Sequence, residues 1–64
     1  MIVNGEKTEL LKEISLKEFL EKRNFNVQKV AVELNGEIIP KNSFETVILK
    51  QNDKIEIVSF VGGG

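Results

Sequence analysis

A single helix-start signal, Ser15-Leu16-Lys17-Glu18, stands between runs of strand-like sequence, and that placement leaves the chain few architectures. The spacing fits a capping box: the Ser15 hydroxyl takes one unpaired N–H at the helix start, and the Glu18 carboxylate reaches back to another. Ile14 and Phe19 occupy the flanking staple positions and are expected to pack together. Leu16, Phe19 and Leu20 follow as one apolar stripe at i, i+3 and i+4. Glu18 and Lys22 are spaced as a favourable surface pair, and Asn24 or Asn26 can take the left-handed conformation that ends the helix. A helix this short must lay its stripe on something else, and the rest of the chain reads as sheet.

Met1-Ile2-Val3 reads as a short strand and Asn4-Gly5 as a tight hairpin turn, because both central residues of a type I′ turn need positive φ. A second strand is expected over about residues 8–11, antiparallel to the first. After the helix, Val30-Ala31-Val32-Glu33-Leu34 puts Val30, Val32 and Leu34 on one face. Asn35-Gly36 turns into Glu37-Ile38-Ile39, where Pro40 limits further pairing. Residues 41–50 are less regular, with Phe44, Val47 and Leu49 expected to point inward. Asn52-Asp53 signals a turn, and a last strand carries Ile55 and Ile57 toward the core. The order implies an α+β domain, a mixed sheet of four to five strands packed on one helix. The last strand is expected beside the first, in the middle of that sheet. Residues 1–61 would form the domain and 62–64 a flexible glycine tail.

Composition narrows the function. The chain has 64 residues, which makes one small domain burying only about 60% of its unfolded surface. It contains no Cys, so it has no thiol nucleophile, disulfide or thiolate metal ligand, and no His, the commonest metal ligand and neutral-pH proton shuttle. With Tyr absent too, acid–base chemistry is left to scattered carboxylates and lysines. An enzyme is disfavoured. Nine basic residues against ten acidic ones, with no basic stripe, disfavour nucleic-acid binding. No apolar run approaches the roughly 20 residues of a membrane span, and no signal-peptide pattern is present. A cytoplasmic binding or carrier domain is expected.

Gly62-Gly63-Gly64 follow directly on the last strand. Residues without Cβ can thread a narrow channel, and three extended residues reach roughly 10 Å. That would carry the Gly64 carboxylate into another protein's active site, with Gly62 and Gly63 as the threading segment. A frayed terminus is the simpler alternative. If Ile55 and Ile57 face inward, alternation puts Val58 and Phe60 on the opposite face as a docking patch beside the tail. Phe60 could instead fold over the sheet edge as peripheral core. Both Asn-Gly pairs read as turn chemistry, the helix Lys and Glu residues as a solvated face, and Phe19, Phe25 and Phe44 as core.

Taken together, the Asn4-Gly5 hairpin, the Val30-to-Gly36 segment, Ile39-Pro40 and the final Gly63-Gly64 resemble the ThiS family of ubiquitin-like β-grasp sulfur carriers. The resemblance covers nearly the whole chain. The final diglycine is shared with ubiquitin and with molybdopterin synthase small subunits, so it marks carrier logic and not a pathway. The Val-Ala-Val-Glu-Leu-Asn segment and the short length point more narrowly to ThiS. Asn52-Asp53 stands where such proteins often have Gly-Asp, and Asn also tolerates positive φ.

The resemblance implies that a ThiF-type enzyme uses ATP and Mg²⁺ to adenylate Gly64. A persulfide donor would then supply sulfur for a C-terminal thiocarboxylate, which thiazole synthase (ThiG) would consume in thiamine biosynthesis. The chain has no Gly-rich phosphate loop opening a helix, so it binds no cofactor of its own under this reading and ATP chemistry sits in the partner. Two other readings share the fold: a ubiquitin-like modifier conjugated through Gly64, and a non-covalent interaction module.

Overall fold

The computed structural model describes residues 1–60. In chain order its elements are β1 (Ile2–Val3), β2 (Glu6–Lys7), β3 (Ile14–Ser15), α1 (Leu16–Lys22), β4 (Val30–Leu34), β5 (Glu37–Ile39), β6 (Ile48–Leu49) and β7 (Lys54–Ser59). Five strands form one mixed sheet in the order β2-β1-β7-β4-β5, and β3 pairs with β6 in a separate ribbon. Strand β7 runs parallel to β1 and antiparallel to β4, so the last strand sits in the middle as expected. The expected boundary at residues 61 and 62, and the glycine tail itself, lie outside the described residues.

Both Asn-Gly pairs form the expected turns. Asn4 and Gly5 have φ of 49° and 86°, Asn35 and Gly36 of 51° and 88°, the paired positive values of a type I′ hairpin. The first hairpin corrects the expected position of the second strand. A two-residue turn starts pairing at once, so Val3 faces Glu6 and Ile2 faces Lys7. Thr8 then donates to the Met1 carbonyl at 2.8 Å, and residues 9–11 pass beyond the two-residue partner strand. Leu10 turns into the core while Leu11 is 88% exposed.

The helix is capped at both ends. Ser15 Oγ accepts from the Glu18 N–H at 3.1 Å, while the Leu16 and Lys17 amides donate to the Val47 and Phe44 carbonyls at 2.8 and 2.9 Å. Three of the four unpaired first-turn donors are thereby satisfied. The reciprocal arm of the capping box does not form: Glu18 Oε2 instead lies 3.8 Å from Lys22 Nζ. At the other end Asn24 takes φ of 65°. Its N–H donates to Glu21 O at 3.0 Å, and the Phe25 N–H donates to Leu20 O at 2.9 Å, a Schellman closure. Asn26 has φ of −86° and caps a short 3₁₀ turn, Val27–Lys29.

Leu16, Phe19 and Leu20 pack against Val30, Val32, Ile55 and Ile57 from the sheet, with Phe44 and Leu49 closing the side. Val47 and Phe25 pack against this core from its margin. Asn52 does not use the left-handed region: among the described non-glycine residues only Asn4, Asn24 and Asn35 have positive φ. The turn before β7 is instead closed by Asp53, whose N–H donates to Lys50 O while its Oδ2 accepts from the Lys50 N–H. An Asp side chain at this spacing substitutes for the left-handed residue.

Candidate functional site

Whatever follows residue 60 is launched from β7, and the sequence around β7 fixes that strand along both edges. On one edge the Asn4 N–H donates to Ile55 O at 2.9 Å. The Asn4 side chain then donates to Ile57 O at 3.2 Å and accepts from the Ile57 N–H at 2.6 Å. On the other edge the ladder with β4 runs from Leu34 opposite Ile55 to Val30 opposite Ser59. The Phe60 N–H extends it by donating to Lys29 O at 2.9 Å. At the start of β7, Asn35 Oδ1 accepts from the Lys54 N–H and its Nδ2 donates to Asp53 Oδ1, both at 2.9 Å. The two turn asparagines therefore also clamp the last strand.

Alternation then sets the faces. Ile55 and Ile57 are buried toward the helix, whereas Val58 is 61% exposed on the opposite face and Phe60, one residue past the strand, is 43% exposed. Lys41 Nζ sits 5.4 Å from the Phe60 ring centroid and donates to Gln28 O at 2.6 Å. That arrangement ties the end of β7 to the 3₁₀ segments Val27–Lys29 and Lys41–Ser43. Phe60 thus stands at the margin of the sheet under a cation and does not enter the core. Gly62, Gly63 and Gly64 lie outside the described residues.

Val58 and Phe60 are exposed as strand alternation implied, but the sequence did not disclose their surroundings. The sequence pattern missed Lys41, whose role depends on a fold contact between residues 19 positions apart in sequence. It also passed over Ile38, 70% exposed and lining the same shallow depression as Val58. Strand alternation from Ile39 could have found that residue. Among the described residues no group of three His, Cys, Asp or Glu side chains could hold a metal, and no helix is long and apolar enough to cross a membrane.

A helix laid on a mixed five-stranded sheet with the last strand central defines a ubiquitin-like β-grasp protein. The ThiS family model matches residues 1–64, and the chain belongs to the ThiS family of small sulfur carriers. The crystal structure of the thiamine biosynthesis protein ThiS from Geobacter metallireducens superposes with a TM-score of 0.84 at 30% identity, covering 98% of this chain and 96% of that one. An uncharacterized protein, ycf40, of Pyropia yezoensis is 42% identical over 62 residues, 97% of this chain and 87% of that protein. A thiazole synthase of Paramagnetospirillum magneticum is 39% identical over 64 residues, which are 100% of this chain but 20% of that protein. The chain thus spans about a fifth of the thiazole synthase it matches.

Proposed function

We propose that the chain carries sulfur as a thiocarboxylate on Gly64 and delivers it for thiazole formation in thiamine biosynthesis. Family membership supports the carrier role. The observation that carries the rest is the anchoring of β7 on both edges, up to Phe60 and four residues before Gly64. A rigid strand end gives a partner a fixed point from which to receive the terminal carboxylate.

The chemistry follows from that carboxylate. The α-carboxyl of a chain end has a reference pKa of about 3.5 and is ionised at neutral pH. Direct attack on it would have to expel oxide. Attack by its oxygen on the α-phosphorus of ATP releases pyrophosphate and forms an acyl-adenylate, with AMP as a good leaving group. The outer sulfur of a persulfide displaces AMP, and a thiol then cleaves the S–S bond, leaving the thiocarboxylate and a disulfide. ATP and Mg²⁺ belong to a ThiF-type adenylating enzyme. Val58 and Phe60 provide the docking face, and Gly62 and Gly63 thread the channel.

Thiazole synthase (ThiG) is the proposed acceptor. A segment resembling this chain forms part of the P. magneticum thiazole synthase, and covalent joining raises the effective concentration of two modules that must meet. Reconstitution with ATP, Mg²⁺, a ThiF-type enzyme and a persulfide donor tests the proposal by intact mass spectrometry. An oxygen-to-sulfur exchange at Gly64 is expected. High-mass conjugates would point to a protein modifier, and an unchanged terminus to a non-covalent module.

A further inference from the structure

Past Ile57 the last strand is held by backbone bonds from one side. On the β1 edge, the bonds to β7 among the described residues end at the Ile57 N–H and carbonyl. On the β4 edge they continue to Phe60, whose N–H donates to Lys29 O at 2.9 Å. Lys41 supplies a second hold on this stretch. Its Nζ donates to Gln28 O at 2.6 Å and lies over the Phe60 ring, 5.4 Å from the centroid. Lys41 and Phe60 are therefore tied to successive carbonyls of one 3₁₀ turn, Val27–Lys29. That turn is itself fixed: Asn26 Oδ1 accepts from the Gln28 N–H at 2.9 Å, and Asn26 O from the Lys29 N–H at 2.8 Å. The stem of Lys41 starts from an equally firm base. Ser43 N–H donates to Pro40 O at 2.9 Å and Phe44 N–H to Lys41 O at 3.1 Å, with Phe44 buried in the core. The ion pairs among the described residues, Lys17 with Glu45 and Lys22 with Glu18, do not draw on Lys41.

We propose that Lys41 is a positioning residue for activation of Gly64, acting through Phe60 to fix the direction in which the chain leaves β7. The inference rests on the sulfur-carrier reading and adds a residue to its machinery. An ammonium over an aromatic face is drawn to the negative centre of the ring. The end carbonyls of a helical turn are acceptors that a lysine can satisfy. One side chain thus grips both the end of the strand and the turn beside it, where β1 has already turned away. Direction matters because of leverage. Four extended residues reach about 13 Å, so a swing of about 10° at Phe60 moves the far end by about 2 Å. A misplacement of about 1 Å at a reacting centre can cost about a hundredfold in rate.

The test is the kcat of ATP–pyrophosphate exchange with a purified ThiF-type enzyme, beside calorimetry of the same chains and enzyme without ATP. Lys41→Met keeps the apolar stem and removes the ammonium. The Phe60 bond to Lys29 remains, so kcat is expected to fall about fivefold and not to vanish. Kd should stay within about twofold of the parent, and the melting temperature within a few degrees. Lys41→Arg can stack on the ring and donate to the carbonyl, and is expected to restore most of the loss. Amide exchange at Phe60 should quicken in Lys41→Met and return toward the parent in Lys41→Arg. In a Phe60→Leu background, Lys41→Met should lower kcat no further, as for two groups acting as a unit. A loss carried by Kd alone overturns the proposal, making Lys41 a contact to the enzyme. So does a loss matched by loss of the fold, or one of equal size in the Phe60→Leu background. Parental kcat in Lys41→Met sinks this role and leaves the carrier reading standing. A parent chain that supports no exchange sinks the carrier reading, and this role with it.

Discussion

The carboxamide of Asn4 closes on the backbone of Ile57 at two points, accepting from its N–H at 2.6 Å and donating to its carbonyl at 3.2 Å. Strand β1 turns away at Asn4, yet its side chain continues the ladder as though one more peptide unit were present. A residue needed for a hairpin thereby anchors the central strand 53 positions later.

Asn4→Ala removes both bonds and places a β-carbon in the left-handed region, where Asn is better tolerated. The expected loss is about 1–3 kcal/mol, measured by urea unfolding, together with faster hydrogen exchange at the Ile57 amide. Asn4→Asp tolerates the φ and retains the acceptor but not the donor, so it should fall between Asn and Ala. Unaltered Ile57 protection in Asn4→Ala would show that the clamp is not used.

Much of this arrangement was legible in the residues. The capping serine, the helix stripe, both Asn-Gly turns and the inward Ile55 and Ile57 follow from short-range patterns, and the structure shows each. What escaped depends on partners distant in sequence. Nothing local announces that Ile14-Ser15 pairs with Ile48-Leu49, or that Glu33 lies opposite Glu56. Strand register is set by the assembled core, and a period of two gives the face of a residue without its neighbour. The missing half of the capping box has a local origin instead: Glu18 lies against Lys22 one turn further on, the surface pair the spacing also offered.

Leu20 is fully buried where the helix meets the sheet. Leu20→Ala should cost about 2–5 kcal/mol, comparable with the whole stability of so small a domain. Thermal unfolding should show a transition shifted strongly downward or lost. A shift of only a few degrees would mean that the core closes over the gap.

Val58→Ser with Phe60→Ser changes two exposed side chains at the end of β7. Stability should stay within about 1 kcal/mol of the parent, while binding to the activating enzyme weakens by about 2 kcal/mol or more. Urea unfolding and calorimetry on the same samples separate the two effects. Loss of the fold would return Phe60 to the core.

Gly63→Val adds a branched side chain where the proposed threading calls for a slim tail, and restricts its backbone. Adenylation should fall by about a hundredfold with the unfolding curve unchanged. Adenylation of this variant at the parental rate would remove the case for a narrow channel.

Activation of the Gly64 carboxylate is best read by ATP–pyrophosphate exchange with a purified ThiF-type enzyme. The chain ending at Gly64 should support exchange, and the same chain carrying one more residue after Gly64 should support none. Equal exchange by the untrimmed longer chain would contradict the assignment of Gly64 as the reactive end.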